Sequence, residues 1–341
     1  MRCTGSLLGL SLLSAVAAGE PPGLWFWGSA SPESLGAIKS FQGSLKAKAP
    51  TVYYSFGGLS VGAGGQFQGS QNATLIKEMK GMGIKVYATV GATNITTLRS
   101  IFKEPQPYIE AAVKSAVASG IDGYNLDWEP YVKGMTKWTP GDEGDVDNSD
   151  GLAYARFVDT FAKALHKEQK QLSLDFFTDL AIWNLAALNS TAVDTVISMD
   201  TCEWLCTAPH WLTGVGAAWG LLSIDSHRTN IHICAADVQD NQTEQAYVQM
   251  ATTYVNAARL GVGVCPGTEA NPTPSKPPLQ PYGPDSCGTA PYTPELVDER
   301  LAYFKQLLAT PRTSFRMMNM CCSGLLSEVW WSGLRGFYSS M

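Results

Sequence analysis

Short apolar runs alternate with longer amphipathic stretches along most of the chain. The runs are Leu24 to Gly28, Thr51 to Phe56, Lys85 to Val90, Gly123 to Glu129, Leu172 to Phe177, Thr195 to Asp200, Ile231 to Ala235, Leu260 to Cys265 and Ser314 to Met320. They are rich in Val, Ile, Tyr, Phe and Trp, and mostly apolar at odd and even positions alike. Strands of a parallel sheet covered by helices have that character. Between them the period changes. Tyr154, Phe157, Val158, Phe161 and Leu165 recur at helical spacing, with Asp150 in the expected N-cap region. Pro107 to Ser119 predicts a helix ending at Gly120, and Thr243 to Leu260 one ending at Gly261. Thr293-Pro294 opens another, with Pro tolerated in the first turn.

Strand–helix–strand units argue for an α/β fold with a parallel sheet, closed or doubly wound. The closed form, a (β/α)8 TIM barrel, has eight strand places for nine candidates, and Ile231 to Ala235 is the weakest of them. The Pro- and Gly-rich run 266–294 reads as a long loop at one mouth of the barrel. Length would allow two domains in 341 residues. Barrels of this kind reach that size as one unit, so residues 19–341 are expected to form a single domain.

Composition changes the picture in three places. The net charge of −6 is spread out with no Lys/Arg run, which argues against a nucleic-acid partner. The N-terminus has the form of a secretory leader: Arg2, an apolar Leu7 to Leu13, then Ala15-Val16-Ala17. Cleavage after Ala17 or Ala18 would remove residues 1–18. Its apolar run is shorter than the ~20 residues a membrane span needs, so a secreted or lumenal protein without a span is expected. Of 8 cysteines only Cys3 lies in that leader. The other seven fall between Cys202 and Cys322, with Cys202–Cys206 and Cys265–Cys287 as possible local disulfides and buried thiols as the alternative. Asn72, Asn94, Asn189 and Asn241 each begin an Asn-X-Ser/Thr sequon and are glycosylation candidates.

The stretch Asp122-Gly123-Tyr124-Asn125-Leu126-Asp127-Trp128-Glu129-Pro130 carries the candidate chemistry. Side chains in a strand alternate faces, so Asn125, Asp127 and Glu129 share one face and Tyr124, Leu126 and Trp128 the other. The apolar set suits the outer helices, which turns the polar set into the barrel. Pro130 ends the strand and leaves Glu129 at the C-terminal rim, where barrel enzymes keep their active sites. Neighbouring carboxylates repel, so one of them tends to hold a proton near neutral pH. A protonated Glu129 can donate to a leaving-group oxygen, and Asp127 can hold charge developing beside it. A hydrogen-bonded polar cluster that only fixes the strand is the plainer alternative.

The segment resembles the signature of glycoside hydrolase family 18, the chitinases and endo-N-acetylglucosaminidases: Asp-Gly-X-Asp-X-Asp-X-Glu on barrel strand four. Asp122 and Gly123 match its opening, and Asn125 departs from it where the family has Asp. Ser55-Phe56-Gly57-Gly58 and Thr89-Val90-Gly91-Ala92 are similar to the family's Ser-X-Gly-Gly motif. The resemblance implies substrate-assisted retaining hydrolysis of glycans or chitin-like polymers containing β-linked N-acetylglucosamine. In such a reaction the substrate's acetamido oxygen, not a carboxylate, attacks the anomeric carbon. By position Glu129 would be general acid and then base. Asp127 would orient the acetamido group and stabilise the oxazolinium ion, and Asn125 would support Asp127 by hydrogen bonding. The family's strand six reads Met-X-Tyr-Asp; here Ser198-Met199-Asp200-Thr201-Cys202 puts Thr201 at the Tyr position. Either Asp200, Trp204 or Tyr131 takes that role towards the substrate, or catalysis is lost.

Trp183 and Asn184 after strand five, and Trp204 after strand six, are candidate substrate-binding residues, since aromatic rings stack on sugars, with core or helix packing as the equal alternative for each Trp. Trp330 and Trp331 are equally suited to packing. The acidic loop from Asp142 to Asp150 lacks the Gly and closing Glu of a calcium loop and reads as solvated. The histidines His166, His210, His227 and His232 lack zinc-site spacing, so no metal or cofactor is expected. Two other readings stay open. One is an inactive sugar-binding barrel. The other is a hydrolase using a second carboxylate, Asp179 or Asp200, about 5–9 Å from Glu129.

Overall fold

The computed structural model describes residues 23–27, 51–55, 59–130, 146–176, 182–198, 254–255, 259–264 and 317–320, with single helical positions between 294 and 336. Eight parallel strands form a closed ring. They are β1 (Gly23–Trp27), β2 (Thr51–Ser55), β5 (Lys85–Ala92), β6 (Gly123–Trp128), β7 (Gln171–Phe176), β8 (Thr195–Ser198), β9 (Leu260–Val264) and β10 (Met317–Met320). Each pairs with the next in chain order, and β10 pairs back onto β1. A short antiparallel hairpin, β3 (Ser60–Val61) and β4 (Phe67–Gln68), hangs from β5 through Ser60 and Gly91.

The ring settles the count of strands. Val196, Ile197 and Ser198 of β8 pair directly with Leu260, Gly261 and Val262 of β9, so nothing fits between them. The run 231–235, the weakest of the nine candidates, lies outside the described residues. The other eight supply the ring.

Five helices lie among the described residues: α1 (Ala73–Gly81), α2 (Ile95–Lys103), α3 (Gln106–Ser119), α4 (Asn148–Lys167) and α5 (Leu185–Asn189). The apolar positions expected to drive α4 are all buried. Its cap is Asp147, not the Asp150 region. The Asp147 side chain accepts from the backbone N–H of Ser149 and Asp150, and Asp150 returns a bond to the Asp147 N–H at 2.9 Å. Arg99 of α2 clamps the Asp150 carboxylate through two 2.8 Å bonds, which ties the outer layer together. Hydrogen bonding at the helix start thus accounts for the two ends of the described part of the acidic loop. Helix α3 ends at Gly120 in the left-handed conformation (φ 75°), as its sequence predicts.

Strand β6 is buried along its whole length and sorts its side chains by polarity. Tyr124, Leu126 and Trp128 point to the helices. The Trp128 indole stacks on Phe157 of α4 at 5.0 Å and meets Tyr108 of α3 edge-on at 5.8 Å. The Tyr124 hydroxyl donates to the Ala112 carbonyl of α3 at 2.8 Å. With the bulky apolar face anchored outside, the opposite face of β6 must look into the barrel.

Candidate active site

The interior wall is built in steps. Thr89, Asn125, Ser173 and Thr195 are register neighbours on β5, β6, β7 and β8, and each is buried. They form a neutral polar layer. Asn125 is its centre: its Oδ1 accepts from the Thr89 hydroxyl at 3.3 Å, and its Nδ2 donates to Ser173 Oγ at 3.1 Å. One register step towards the strand ends stand Gly91, Asp127 and Asp175, followed by the apolar Ile197. Two carboxyls therefore occupy adjacent strands above the neutral layer.

Glu129 follows the strand, its N–H extending the ladder to the Ala92 carbonyl at 2.8 Å. Its side chain is half-buried, whereas Asp127 is 8% and Asp175 2% exposed. The acid thus stands at the C-terminal end of the strand, less buried than the neighbours behind it. Asp127 and Glu129 lie close enough for each carboxyl to perturb the other's protonation. Asp127 Oδ1 is buried and has no hydrogen-bond partner among the described residues.

Burial drives the electrostatics. Loss of solvation raises the Asp127 carboxyl to about 6, although its bond to Glu129 pulls the other way. Desolvation also raises Glu129 well above the usual range, and the Asp127 charge and hydrogen bond add to the effect. Asp175 is raised by burial first and then by Asp127, against the lowering influence of the Asn125 amide. The three adjacent carboxyls are all raised, so they titrate as a coupled group rather than as three independent acids.

That burial has a stability consequence. A native carboxyl raised from 3.8 to about 6 binds its proton more tightly than the unfolded chain does. Stability is therefore lost as pH rises through that window. Asp127→Asn removes the charge, so its melting temperature should exceed wild type at pH 7.5, with the gain shrinking below the lower value. Thermal melts at pH 3.5 and 7.5 check this; a difference independent of pH would refute it.

The remaining candidate residues take the following places. Asn125 does not bond to Asp127; its remaining amide hydrogen goes to Asp175 Oδ1 at 3.0 Å. Trp183 is completely buried in the core and has no face to offer a sugar. Asn184 is the N-cap of α5, its Oδ1 accepting from the Ala187 N–H at 3.0 Å. Asp122 works outside the wall: it accepts from the Val86 N–H at 2.8 Å and pairs with Lys80. Asn72 and Asn94 are the N-caps of α1 and α2, Asn72 exposed, and Asn189 is the last residue of α5. Tyr131, Asp200, Thr201, Trp204, Asp179 and Asn241 lie outside the described residues, as do the leader, Trp330 and every cysteine. Among the described residues no group of side chains is arranged to hold a metal ion. No described helix is long and apolar enough to cross a membrane.

Asp175 is the residue that sequence reading missed. Its signal is the alternation Leu172-Ser173-Leu174-Asp175-Phe176, which repeats the polar-inside pattern of β6 on the next strand.

No family model and no curated protein sequence matches the chain. Solved structures do. The chitinase from Chromobacterium violaceum superposes with a TM-score of 0.60 at 13% identity, covering 94% of this chain and 99% of that one. The Bacillus cereus spore cortex-lytic enzyme SleL gives 0.61 at 10% identity, over 93% and 74%. The GH18 chitinase ChiB from the chitin utilization locus of Flavobacterium johnsoniae gives 0.54 at 11% identity, over 95% of each. The chain has the barrel fold of these enzymes, the one its strand-four segment pointed to.

Proposed function

We propose that the protein is a secreted retaining glycosidase acting on β-linked N-acetylglucosamine in glycans or chitin-like polymers. The observation that carries this is the Oδ1 of Asp127, buried and without a partner among the described residues, beside the less buried Glu129. A buried acceptor without a donor is unfavourable by about 1–3 kcal/mol. An acetamido N–H entering from the rim would satisfy it. That contact turns the acetamido oxygen towards the anomeric carbon of the same sugar.

The rest follows from the two carboxyls. Glu129, kept protonated by burial and by Asp127, donates its proton to the glycosidic oxygen as the C–O bond breaks. The acetamido oxygen closes onto the anomeric carbon, and the Asp127 carboxylate stabilises the oxazolinium charge. Glu129, now a carboxylate, takes a proton from water as that water opens the ring with net retention. Like folds in a chitinase and a cortex-lytic enzyme support the reading, as does the leader-like N-terminus for export.

Substrate assistance makes a specific demand. A chromogenic chito-oligosaccharide should be turned over, and the matched gluco-oligosaccharide, lacking the acetamido group, should be inert. Equal turnover of both would favour a carboxylate nucleophile. Binding of the first without turnover would return the protein to the sugar-binding class.

A further inference from the structure

We propose that Asp175 is a positioning residue: it occupies the Asn125 amide and so leaves Asp127 free to turn towards Glu129 and the substrate. This deepens the proposed function and rests on Asp127 being the carboxyl that meets the acetamido group.

Asn125 has two amide hydrogens and uses both sideways, on Ser173 Oγ at 3.1 Å and Asp175 Oδ1 at 3.0 Å, while its oxygen is held by Thr89. It stands two residues before Asp127 on the same inward face, so the same amide is a natural donor to either carboxyl. It goes to the one on β7. The two aspartates are thereby made unlike, although they share a register step. Asp175, 2% exposed, is anchored from below. Asp127 has Glu129 above it and one oxygen with no partner among the described residues. A carboxyl fixed from below cannot follow a substrate; one with a vacant oxygen can.

The titratable groups acting on these aspartates, among the described residues, are Glu129 at the rim, each other, and the buried Tyr154 hydroxyl of α4. The Asn125 bond lowers Asp175, against burial. Removal of the Asp175 carboxyl frees that N–H to swing onto Asp127. A donor moved onto a carboxylate favours its charged form. That gain is offset by loss of the Glu129 interaction, which also lowers Asp127, so the change is one of position: Asp127 is tied down, away from Glu129 and the sugar.

Asp175→Ala should therefore lower kcat about tenfold and move the alkaline limb of kcat/KM down, because Glu129 loses the neighbouring Asp127 charge that raises it. Asp175→Asn keeps an oxygen for the Asn125 amide and should keep the wild-type profile. Asp175→Ser, too short to reach the amide, replaces the alanine variant if that one does not fold. A second readout needs no turnover: the side-chain amide signal of Asn125 in 15N-labelled protein, assigned by its loss in Asn125→Leu. In Asp175→Asn, where the amide keeps a neutral partner, it should be insensitive to the ionisation of Asp127, and in Asp175→Ala it should follow it. Alanine and asparagine variants alike in both readouts would overturn the proposal, whether both are impaired or neither. Absence of turnover by the wild type would sink the glycosidase reading only, and the amide titration would still decide the role of Asp175.

Discussion

Glu129→Gln is expected to lower turnover of a chito-oligosaccharide about a thousandfold, with binding changed by no more than about threefold. Glutamine matches the side chain in shape and can still hydrogen-bond to Asp127, but it has no acid proton to give. The departing oxygen must then leave as an alkoxide, and no base remains to activate water in the second step. The pH profile is part of the same expectation. In wild type, activity should rise as Asp127 ionises near the value of about 6 and fall at higher pH as Glu129 loses its proton. The residual activity of the Gln variant should lack that alkaline fall. Steady-state kinetics across pH, with binding by calorimetry, check both parts. A loss smaller than about tenfold would remove Glu129 from the acid role.

Gly123→Ala is the substitution expected to damage the fold most for its size, by about 3 kcal/mol or more. A Cβ at this position would lie 2.2 Å from the Gln171 carbonyl oxygen, 2.9 Å from its carbon and 2.9 Å from the Tyr87 ring. The first two are backbone atoms of β7, so relief requires β6 and β7 to part, and those strands carry Asn125, Asp127 and Asp175. Gly91→Ala is the matched control, since its Cβ meets only the Asp127 carbonyl oxygen at 3.9 Å. Urea denaturation should show a large fall in midpoint for Gly123→Ala and little change for Gly91→Ala. Similar midpoints for the two would mean that the approach of β6 to β7 is looser than the structure has it.

Much of this was legible along the chain because the governing patterns are local. Alternation placed Asn125, Asp127 and Glu129 on one face of β6 and Tyr124, Leu126 and Trp128 on the other. The 3.6-residue period marked the buried stripe of α4, and Gly120 its left-handed position after α3. Trp183 was misjudged because a large aromatic near a strand end suits a cleft or a core equally, and only its neighbours decide. Asn184 and Asp147 turned out to be caps, a role settled by the residue at which the helix begins.

The sequence by itself therefore determined the eight segments that supply the ring strands, though with one candidate too many and without the β3–β4 hairpin, which faces β6 presents and that Glu129 stands at a strand end. Backbone geometry enforces those periods whatever the rest of the chain does. Tertiary structure alone decided that the ring closes with eight strands, that Asp175 joins Asp127, and that the Asn125 amide goes to one and not the other. These depend on the register between β6 and β7, and the loop and twenty-residue helix α4 separate those strands in sequence. A distance of 3.0 Å between side chains 50 residues apart leaves no trace in the spacing of either strand.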